Sequence, residues 1–264
     1  MQHVTIHPTA ILDGDIALGD GCIIGPFALL QGTISLGENC RVGPRVTLLG
    51  LVTAGDDNAF HTGCVIGDTP QHLAFAGEPT RVVLGHANTL REYVTIHRGM
   101  PNGLGTTTLG DKNFLMANSH VAHDCIVGDR AVFANSAVVG GHAVVGDGAF
   151  LSGNSCVHQF CRVGELAMLS GTSSISQDLP PFWIVQGVNT THGVNIVGMR
   201  RAGYSHDEIQ AVRVAYKRIT RSGQAIRESC TQLEAEYPTS RAIAVLVEFI
   251  RTSKRGICSG GADE

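Results

Sequence analysis

The chain has 264 residues, of which 43% are hydrophobic, and a formal net charge of −4. This length allows one large domain or one domain with a smaller appendage, and the charge gives no global sign of binding to nucleic acid or to an anionic membrane. Only 5% of the residues are aromatic while 33 are glycine, a mixture that favours many tight turns around small and branched side chains.

The cellular compartment is predicted from the first residues and from the cysteines. The opening stretch MQHVTIHPTA lacks a basic start followed by an apolar run, so no signal peptide is predicted. No later stretch approaches the length of a membrane span. The eight cysteines form no CxxC pair. We therefore expect buried, reduced thiols in a cytoplasmic protein without membrane insertion.

Apolar residues recur at every sixth position from near the start of the chain. The first run comprises Ile6, Leu12, Leu18, Ile24, Leu30, Leu36, Val42, Leu48, Ala54, Phe60 and Ile66. The rhythm returns at Leu84, Leu90 and Ile96 and then, shifted by one residue, at Leu109, Leu115, Val121, Val127, Phe133, Val139, Val145, Leu151, Val157, Val163, Leu169 and Ile175. Because a helix repeats every 3.6 residues and an ordinary strand every 2, this period is typical of a parallel β-helix built from hexapeptides.

A second, smaller inward position follows four residues after each apolar anchor. In the last run it is occupied by Asn113, Ser119, Cys125, Ala131, Ala137, Ala143, Ala149, Ser155, Cys161, Ala167 and Ser173. Three hexapeptides close one triangular coil, and coils stack at strand spacing, ~4.8 Å, so that each buries its inward residues against its neighbours. The anchors predict about nine coils.

The β-helix is predicted to span residues 1–186 and to carry two inserted loops. The rhythm is interrupted at 67–83 and at 97–108, and it stops at Pro180-Pro181. Loops that leave a rigid scaffold commonly carry functional residues. We therefore expect one or both insertions to contribute to a functional site.

The end of the chain changes to a helical pattern. Ser205 and Glu208 form a capping box, and apolar residues at helical spacing follow as far as Gly223. Two further stretches at the same spacing predict a second helix and a third, the last over about 240–255. Residues 187–264 are therefore predicted to form a C-terminal helical domain.

The stretch HVAHDC, residues 120–125, places two histidines and an aspartate on the outside of a coil. The rhythm turns Val121 and Cys125 inward, so His123 and Asp124 lie outside. Adding 18 residues moves one coil along the same face and gathers distant residues. The polar positions and glycine predicted to share this edge are His120, His123, Asp124, Gly141, His142, His158 and Gln159.

Such an edge suits general-base chemistry. Histidine titrates near pH 6.5, and a neighbouring carboxylate can orient its ring and favour the imidazolium formed on proton uptake. Gly141 leaves open space above His123, and its N–H can stabilise an oxyanion in acyl transfer. Three alternatives remain: histidines that are merely solvated, a zinc site, or a β-helix that acts only as a scaffold.

Several longer stretches together resemble one family of enzymes. They are AGEPTR (76–81), VTIHRG (94–99), HVAHDC (120–125), VHQFCRVG (157–164), GVNIVGMRR (193–201) and AYKRITRSG (215–223). Across nearly its whole length the chain resembles the UDP-N-acetylglucosamine acyltransferases that begin lipid A biosynthesis. The resemblance implies a homotrimer of left-handed parallel β-helices with active sites in the clefts between them. It also implies transfer of an (R)-3-hydroxyacyl chain from acyl carrier protein to the 3-position of the UDP-sugar, with no metal or other cofactor.

The resemblance assigns roles to individual residues. His123 matches the general base of the family, Asp124 its supporting carboxylate and Gly141 its oxyanion donor. The positions that match contacts to the nucleotide sugar or the acyl donor are His120, His142, His158, Gln159, Asn195 and Arg201.

One substrate-binding segment departs from the family pattern. Where the family often has Gln-Asp-Leu-Lys, this chain has Gln71-His72-Leu73-Ala74, so that an acidic sugar contact and a basic substrate contact are both changed. Either His72 supplies the missing contact and the acceptor is the usual 3-hydroxy sugar, or the acceptor is a 3-amino analogue that yields an amide.

The surface that binds the acyl donor is predicted from the distribution of basic residues. Basic residues follow one another along the first C-terminal helix: Arg213, Lys217, Arg218 and Arg221. Acyl carrier proteins are strongly acidic, so this stripe is predicted to dock the donor; an acyl-CoA donor is the alternative. By resemblance, Gly171 occupies the position that limits the length of the acyl chain, and a glycine leaves room for a longer one.

Overall fold

A computed structural model describes residues 3–260 and shows a parallel β-helix followed by short helices. Ten parallel strands stack on the first face of the triangular prism. They are Thr5–Ile6, Ile23–Ile24, Arg41–Val42, Ala59–Phe60, Thr89–Leu90, Phe114–Leu115, Val132–Phe133, Phe150–Leu151, Met168–Leu169 and Trp183–Val185. The predicted β-helix of hexapeptides is therefore confirmed.

The second and third faces form one continuous sheet, because three long strands pass around the corner between them. These long strands are Ile11–Leu18, Leu29–Leu36 and Thr47–Ala54. The second face continues with Val65–Asp68, Thr95–His97, His120–Val121, Val138–Val139, Cys156–Val157 and Ser174–Ile175. The third continues with Arg81–Leu84, Thr106–Leu109, Ile126–Val127, Val144–Val145 and Arg162–Val163.

The core is the double column of inward residues that the rhythm predicts. All the apolar anchors are buried except Ile6, Leu12 and Leu18 of the first coil, which has no coil beneath it. The small residues four positions later, from Asn113 to Ser173, are buried as well. Since full burial of a Leu, Ile or Val side chain contributes about 1.5–3 kcal/mol, each coil is stabilised mainly by stacking on the next.

The first face has ten strands, one more than the predicted number of about nine coils. In the last coil Leu179 bridges to Val163 and Val185 pairs with Leu169, offsets of 16 residues. Two residues are missing relative to the regular 18, so the six-residue rhythm is lost although the coil is complete. Pro180-Pro181 therefore lies inside a coil and does not end the β-helix.

Two connections leave the prism. Strand structure stops at Asp68 and resumes at Arg81, and it stops at His97 and resumes at Thr106. Residues 69–80 and 98–105 are consequently loops, and both are inserted before a strand of the third face. Each loop approaches the edge of the prism that carries HVAHDC.

The C-terminal segment combines helices with two further strands. Its helices are α1 (Ile196–Arg201), α2 (His206–Arg221), α3 (Ile226–Glu236) and α4 (Arg241–Arg251). The strand Thr190–Val194 pairs antiparallel with Trp183–Val185, the last strand of the first face. The strand Ser259–Gly260 pairs in parallel with Thr190–Val194. Because the sheet continues through this segment, the division at residue 186 stays a prediction.

Three of these helices correspond to the predicted ones, and α1 was not predicted. The capping box of Ser205 and Glu208 begins α2, and Ser240 caps α4 through its hydroxyl. Helix α1 has only six residues, too few for a helical repeat to show. In the described part of the chain, every helix is too short or too polar to cross a membrane.

The cysteines are all free, and one of them departs from the expectation of burial. Seven are buried, whereas Cys156 is exposed. It lies on the outward side of its strand, since the inward anchor there is Val157. Burial raises the pKa of all seven buried thiols, to about 12 for Cys64 and Cys125, which keeps them protonated at neutral pH.

Candidate active site

The site is built on one corner of the prism, between the second and third faces. Asp124, His142 and Phe160 occupy equivalent turn positions in three successive coils, with φ of 59°, 60° and 64°. Left-handed backbone is unusual for residues other than glycine. It recurs here because each coil must turn sharply while its apolar anchors stay inside, and it directs these polar and aromatic side chains outward.

The predicted register between the coils of this corner is present. The N–H of His142 donates to the carbonyl of His123 at 3.0 Å, and the N–H of Phe160 donates to that of Gly141 at 2.9 Å. His120 pairs with Val138 of the next coil. Residues separated by 18 positions therefore stand in columns, and HVAHDC lies beneath Gly141 and His142.

His123 and Asp124 form a buried hydrogen-bonded pair. His123 Nδ1 lies 2.8 Å from Asp124 Oδ2, and the two side chains are 11% and 0% exposed. The carboxylate also accepts hydrogen bonds from the backbone N–H of Met100 (2.9 Å) and of Gly105 (3.0 Å). The imidazole is thus fixed through Nδ1, and Nε2 is the nitrogen left to meet a substrate.

Gly141 leaves the space that the ring of His123 needs. A Cβ at position 141 would lie 2.7 Å from His123 Cε1 and 2.8 Å from Nε2, distances that side-chain atoms do not tolerate. Among the residues that the structure describes, the N–H of Gly141 has no acceptor. A backbone donor without an acceptor beside the free nitrogen of a histidine is the arrangement that acyl transfer requires.

His142 provides a second imidazole beside the pair. Its Nε2 lies 3.8 Å from Asp124 Oδ2, its ring centroid is 5.1 Å from that of His123, and it stacks on Phe160 at 4.6 Å. Burial lowers the pKa of His142, and the charge of Asp124 offsets this only in part. The ring is neutral at physiological pH and can donate or accept a hydrogen bond.

His120 is half-buried in the strand that precedes the pair. Its Nδ1 is 2.7 Å from the hydroxyl of Thr95. Burial, with smaller contributions from His97 and His123, lowers the pKa of His120 to about 4. His120 is consequently neutral in the physiological range and offers a polar contact without charge.

The sequence pattern did not single out His97, which lies next to His120. The two ring centroids are 4.9 Å apart. His97 is buried, burial lowers its pKa, and its Nδ1 has no hydrogen-bond partner among the described residues. Its strand shifts register between Ile96 and His97, and this irregularity is invisible to a period of six. In the sequence, His97 stands in the stretch VTIHRG (94–99) and at the start of the predicted interruption 97–108.

The loop 69–80 brings His72 to the same corner. Its ring centroid lies 5.6 Å from that of His123, edge to face. His72 Nδ1 accepts a hydrogen bond from the N–H of Ala74 at 3.2 Å, which fixes the ring. Gln71 and Leu73 are exposed in the same loop.

The remaining predicted site residues do not meet His123 within one chain. His158 and Gln159 belong to the same corner two coils away, where both are exposed and His158 Nδ1 approaches the carbonyl of Gln159 at 3.1 Å. Gly171 lies over the carbonyl of Gly153, 3.6 Å from the position of its Cβ, at the corner between the first and second faces.

Asn195 and Arg201 lie against the first face, which is opposite the corner of His123. They line a cavity of about 770 Å³ together with Phe150, Met168 and Ile184. Asn195 also caps α1, since its side chain accepts from the N–H of Gly198 at 2.9 Å and donates to the carbonyl of Leu166 at 2.8 Å. Within one chain the prism itself separates this cavity from the histidines.

The basic stripe on α2 is only partly free. Arg213, Lys217 and Arg221 are exposed and succeed one another at intervals of four residues, so they share one face of the helix. Arg218 instead forms a two-pronged ion pair with Glu236 at 2.8 and 2.9 Å. Its guanidinium ties α2 to the end of α3 and is therefore engaged within the fold.

A metal ion is the alternative use of this corner. Donor atoms of His123, Asp124 and His142 lie within 4.8 Å of one another, and nitrogen and carboxylate ligands suit zinc. However, the 2.8 Å between His123 Nδ1 and Asp124 Oδ2 is a hydrogen-bond distance, shorter than the ~3.3 Å that separates two ligands of tetrahedral zinc. The geometry favours proton transfer over metal binding.

Comparisons with known proteins agree with this architecture. The family model described as UDP N-acetylglucosamine O-acyltransferase, domain 2, matches residues 178–258, and the model of six bacterial transferase hexapeptides matches residues 106–141. Together they cover the C-terminal segment and the coils around HVAHDC.

Solved structures extend the similarity over nearly the whole chain. UDP-N-acetylglucosamine O-acyltransferase (LpxA) from Moraxella catarrhalis is 37% identical, with 96% of this chain and 99% of that one covered and a TM-score of 0.85. LpxA from Acinetobacter baumannii is 35% identical (96% and 98% covered, TM-score 0.92). The UDP-N-acetylglucosamine acyltransferase from Campylobacter jejuni is 33% identical (97% and 100% covered, TM-score 0.92). The chain therefore belongs to the UDP-N-acetylglucosamine O-acyltransferase family.

Proposed function

We propose that the protein transfers an (R)-3-hydroxyacyl chain from acyl carrier protein to the 3-hydroxyl of UDP-N-acetylglucosamine, the first step of lipid A biosynthesis. The observation that carries this proposal is the His123–Asp124 pair, whose free Nε2 lies beside the unpartnered N–H of Gly141. Family membership supplies the substrate class, and the corner supplies a base, its carboxylate and an oxyanion donor.

The reaction follows from these positions. His123 Nε2 takes the proton of the sugar hydroxyl as its oxygen attacks the thioester carbonyl. Asp124 stabilises the imidazolium, and the Gly141 N–H binds the oxyanion of the tetrahedral intermediate. When the intermediate collapses, the C–S bond breaks and the thiolate of the carrier takes the proton back from His123. No group of the protein is consumed.

The neutral imidazoles around the pair are suited to holding the acceptor. His120 and His142 lie close to His123 with pKa values lowered by burial, so neither repels the imidazolium at pH 7. His72 reaches the corner from the loop 69–80 and takes the place of the acidic sugar contact that the family often has. This position supports the first alternative for the acceptor, a 3-hydroxy sugar contacted by His72.

Assembly as a homotrimer would complete the site. Asn195 and Arg201 lie on the face opposite His123, so only a neighbouring prism can bring such residues to its corner. Leu73 is fully exposed in the loop beside the site, and Val138 is exposed on the second face next to His120. These apolar residues fit a contact between subunits around the acceptor. His158, Gln159 and Gly171 would then line the cleft that takes the acyl chain.

The carrier is expected to dock on α2. Arg213, Lys217 and Arg221 form an exposed basic face on a protein of net charge −4, which suits an acidic partner better than a free thioester. Turnover with an acyl-CoA would require no such face. Because carrier protein and UDP-sugars are cytoplasmic, so is the proposed reaction.

The proposal is tested by a product assay on the purified protein. Acyl-carrier donors and acyl-CoA are each combined with UDP-N-acetylglucosamine or its 3-amino analogue, and the products are identified by mass spectrometry. We expect an O-acylated sugar from the carrier donor. A preference for the 3-amino acceptor would establish the amide alternative. Equal turnover of acyl-CoA would show that acyl carrier protein is not the required donor. No acylated sugar from any pair would refute the proposal.

A further inference from the structure

The loop 98–105 closes over Asp124 and supplies two of the three hydrogen-bond donors to its carboxylate. The N–H of Met100 donates to Oδ2 and the N–H of Gly105 to Oδ1. Each carboxylate oxygen is thus tied to the loop, and the side chain is completely shielded from solvent. Only His123 completes the set from outside the loop.

The same corner in the next two coils has no such loop. His142 and Phe160 occupy the turn positions equivalent to Asp124, and the first three coils pass the corner in the continuous strands Ile11–Leu18, Leu29–Leu36 and Thr47–Ala54. The β-helix therefore does not need the insertion to stack. The loop is held in shape by its own hydrogen bonds, from the N–H of Gly103 and of Gly105 to the carbonyl of Met100 at 3.0 and 3.1 Å.

Two glycines let the loop close on Asp124: Gly99, whose added Cβ would lie 2.8 Å from Asp124 Oδ1, and Gly103, whose added Cβ would meet only the carboxylate. A Cβ at position 103 would lie 2.7 Å from Cγ, Oδ1 and Oδ2 of Asp124. The backbone of Gly103 is not left-handed, so the conformation alone does not require glycine. Glycine is required because there is no room for a Cβ above the carboxylate of Asp124. An alanine there would have to displace either the loop or Asp124 by several tenths of an ångström.

We propose that the loop 98–105 is a positioning element, which aims Asp124 Oδ2 at Nδ1 of His123 through two backbone N–H groups, with Gly103 as a residue that permits this closure. Its consequence for turnover rests on the proposed function. A carboxylate held by backbone donors keeps its orientation while His123 gains and loses a proton, because backbone amides neither rotate freely nor titrate.

The first test is the substitution Gly103→Ala, with Asn102→Ala in the same loop as the matched control. We expect kcat to fall about 10-fold for Gly103→Ala, a part of the 10²–10⁴-fold that a positioned general base provides. KM should stay within about 2-fold, since no substrate contact is removed. Asn102→Ala should behave like the wild type. Wild-type kcat in Gly103→Ala would overturn the proposal.

A double-mutant cycle separates positioning from a general structural defect. If Gly103 acts through the carboxylate, Gly103→Ala causes no further loss of kcat in an Asp124→Ala background. An equal loss in both backgrounds would contradict the proposal. This outcome is distinct from failure of the proposed function, in which the wild-type protein itself would yield no product.

Hydrogen exchange gives a readout that depends on neither activity nor the folding of Gly103→Ala. In the wild-type protein the amide protons of Met100 and Gly105 should exchange slowly, because both are bonded to a buried carboxylate. In Asp124→Ala they should exchange at least about 10-fold faster, while the amides of the other coils stay protected. Unchanged protection of these two amides would show that the loop does not close on Asp124.

Discussion

Replacing Asp124 by asparagine changes one atom of the buried pair and leaves its volume almost unchanged. The carboxylate accepts three hydrogen bonds, from His123, Met100 and Gly105. An amide has one oxygen, which in its best orientation takes the place of Oδ2 and keeps the bonds to His123 and Met100. Its NH₂ group then faces the N–H of Gly105, and two donors oppose each other.

The expected cost follows from this count. The N–H of Gly105 keeps only its second acceptor, the carbonyl of Met100 at 3.1 Å, and faces the new NH₂ group, which costs about 1 kcal/mol. The two bonds that remain lose the assistance of charge, about 1 kcal/mol each. We expect the free energy of unfolding to fall by about 2–3 kcal/mol. The ring of His123 keeps its orientation, but the imidazolium formed during turnover loses its counter-charge. We expect kcat to fall by about 10²–10³-fold, within the contribution of general acid–base catalysis.

Denaturant unfolding and steady-state kinetics measure the two effects on the same preparation. The matched control is Asp129→Asn, because Asp129 also accepts a backbone N–H, that of Asp111 at 2.8 Å, but its side chain is 41% exposed and lies away from His123. The control should keep wild-type kcat and lose at most about 1 kcal/mol. Wild-type turnover by Asp124→Asn would refute the role given to the carboxylate.

Three further predictions concern pH, space and charge. The pKa of His120 is about 4 in the folded protein against 6.5 for a free histidine; the unfolded chain therefore binds the extra proton, and stability should fall as pH drops from about 6.5 to about 4, by at most about 3 kcal/mol. Denaturant unfolding across this range should show that His120→Asn removes this part of the slope, and an unchanged slope would contradict the burial argument. Gly141→Ala should lower kcat at least about 10²-fold, since its Cβ would lie 2.7 Å from the ring of His123; normal kinetics would show that the ring does not sit there. Replacing Lys217 and Arg221 by Glu should raise KM for the carrier-bound donor and weaken the salt dependence of that KM. An unchanged KM and salt dependence would show that the carrier does not dock on this face of α2.

The periodicity of the sequence predicts most of the β-helix and the centre of the site. A strict register of 18 residues places Gly141 above His123 and His142 above Asp124, because each coil can bury its anchors only by stacking directly on the last. Because the anchors point inward at regular positions, the sequence also predicts which residues point outward. The register of the coils is therefore the feature that positions His123, Asp124, Gly141 and His142 relative to one another.

What the sequence could not predict lies where the period is broken or where the backbone itself makes the contact. A deletion of two residues hides the tenth strand of the first face, and the strand that carries His97 shifts register between Ile96 and His97. The donors of Met100 and Gly105 to Asp124 come from N–H groups, which every residue but proline has, so no residue type marks them. The pairing of Arg218 with Glu236 depends on how α2 packs on α3, and it removes one member of a charge pattern that looked uniform.

The central claim is that His123 accepts the proton of the sugar hydroxyl, and its most direct test is the turnover of His123→Ala with carrier-bound donor and UDP-N-acetylglucosamine. We expect kcat to fall by about 10²–10⁴-fold, KM for both substrates to change little, and added imidazole to restore part of the rate by filling the space beneath Gly141. A His123→Ala protein that turns over at the wild-type rate would contradict the account.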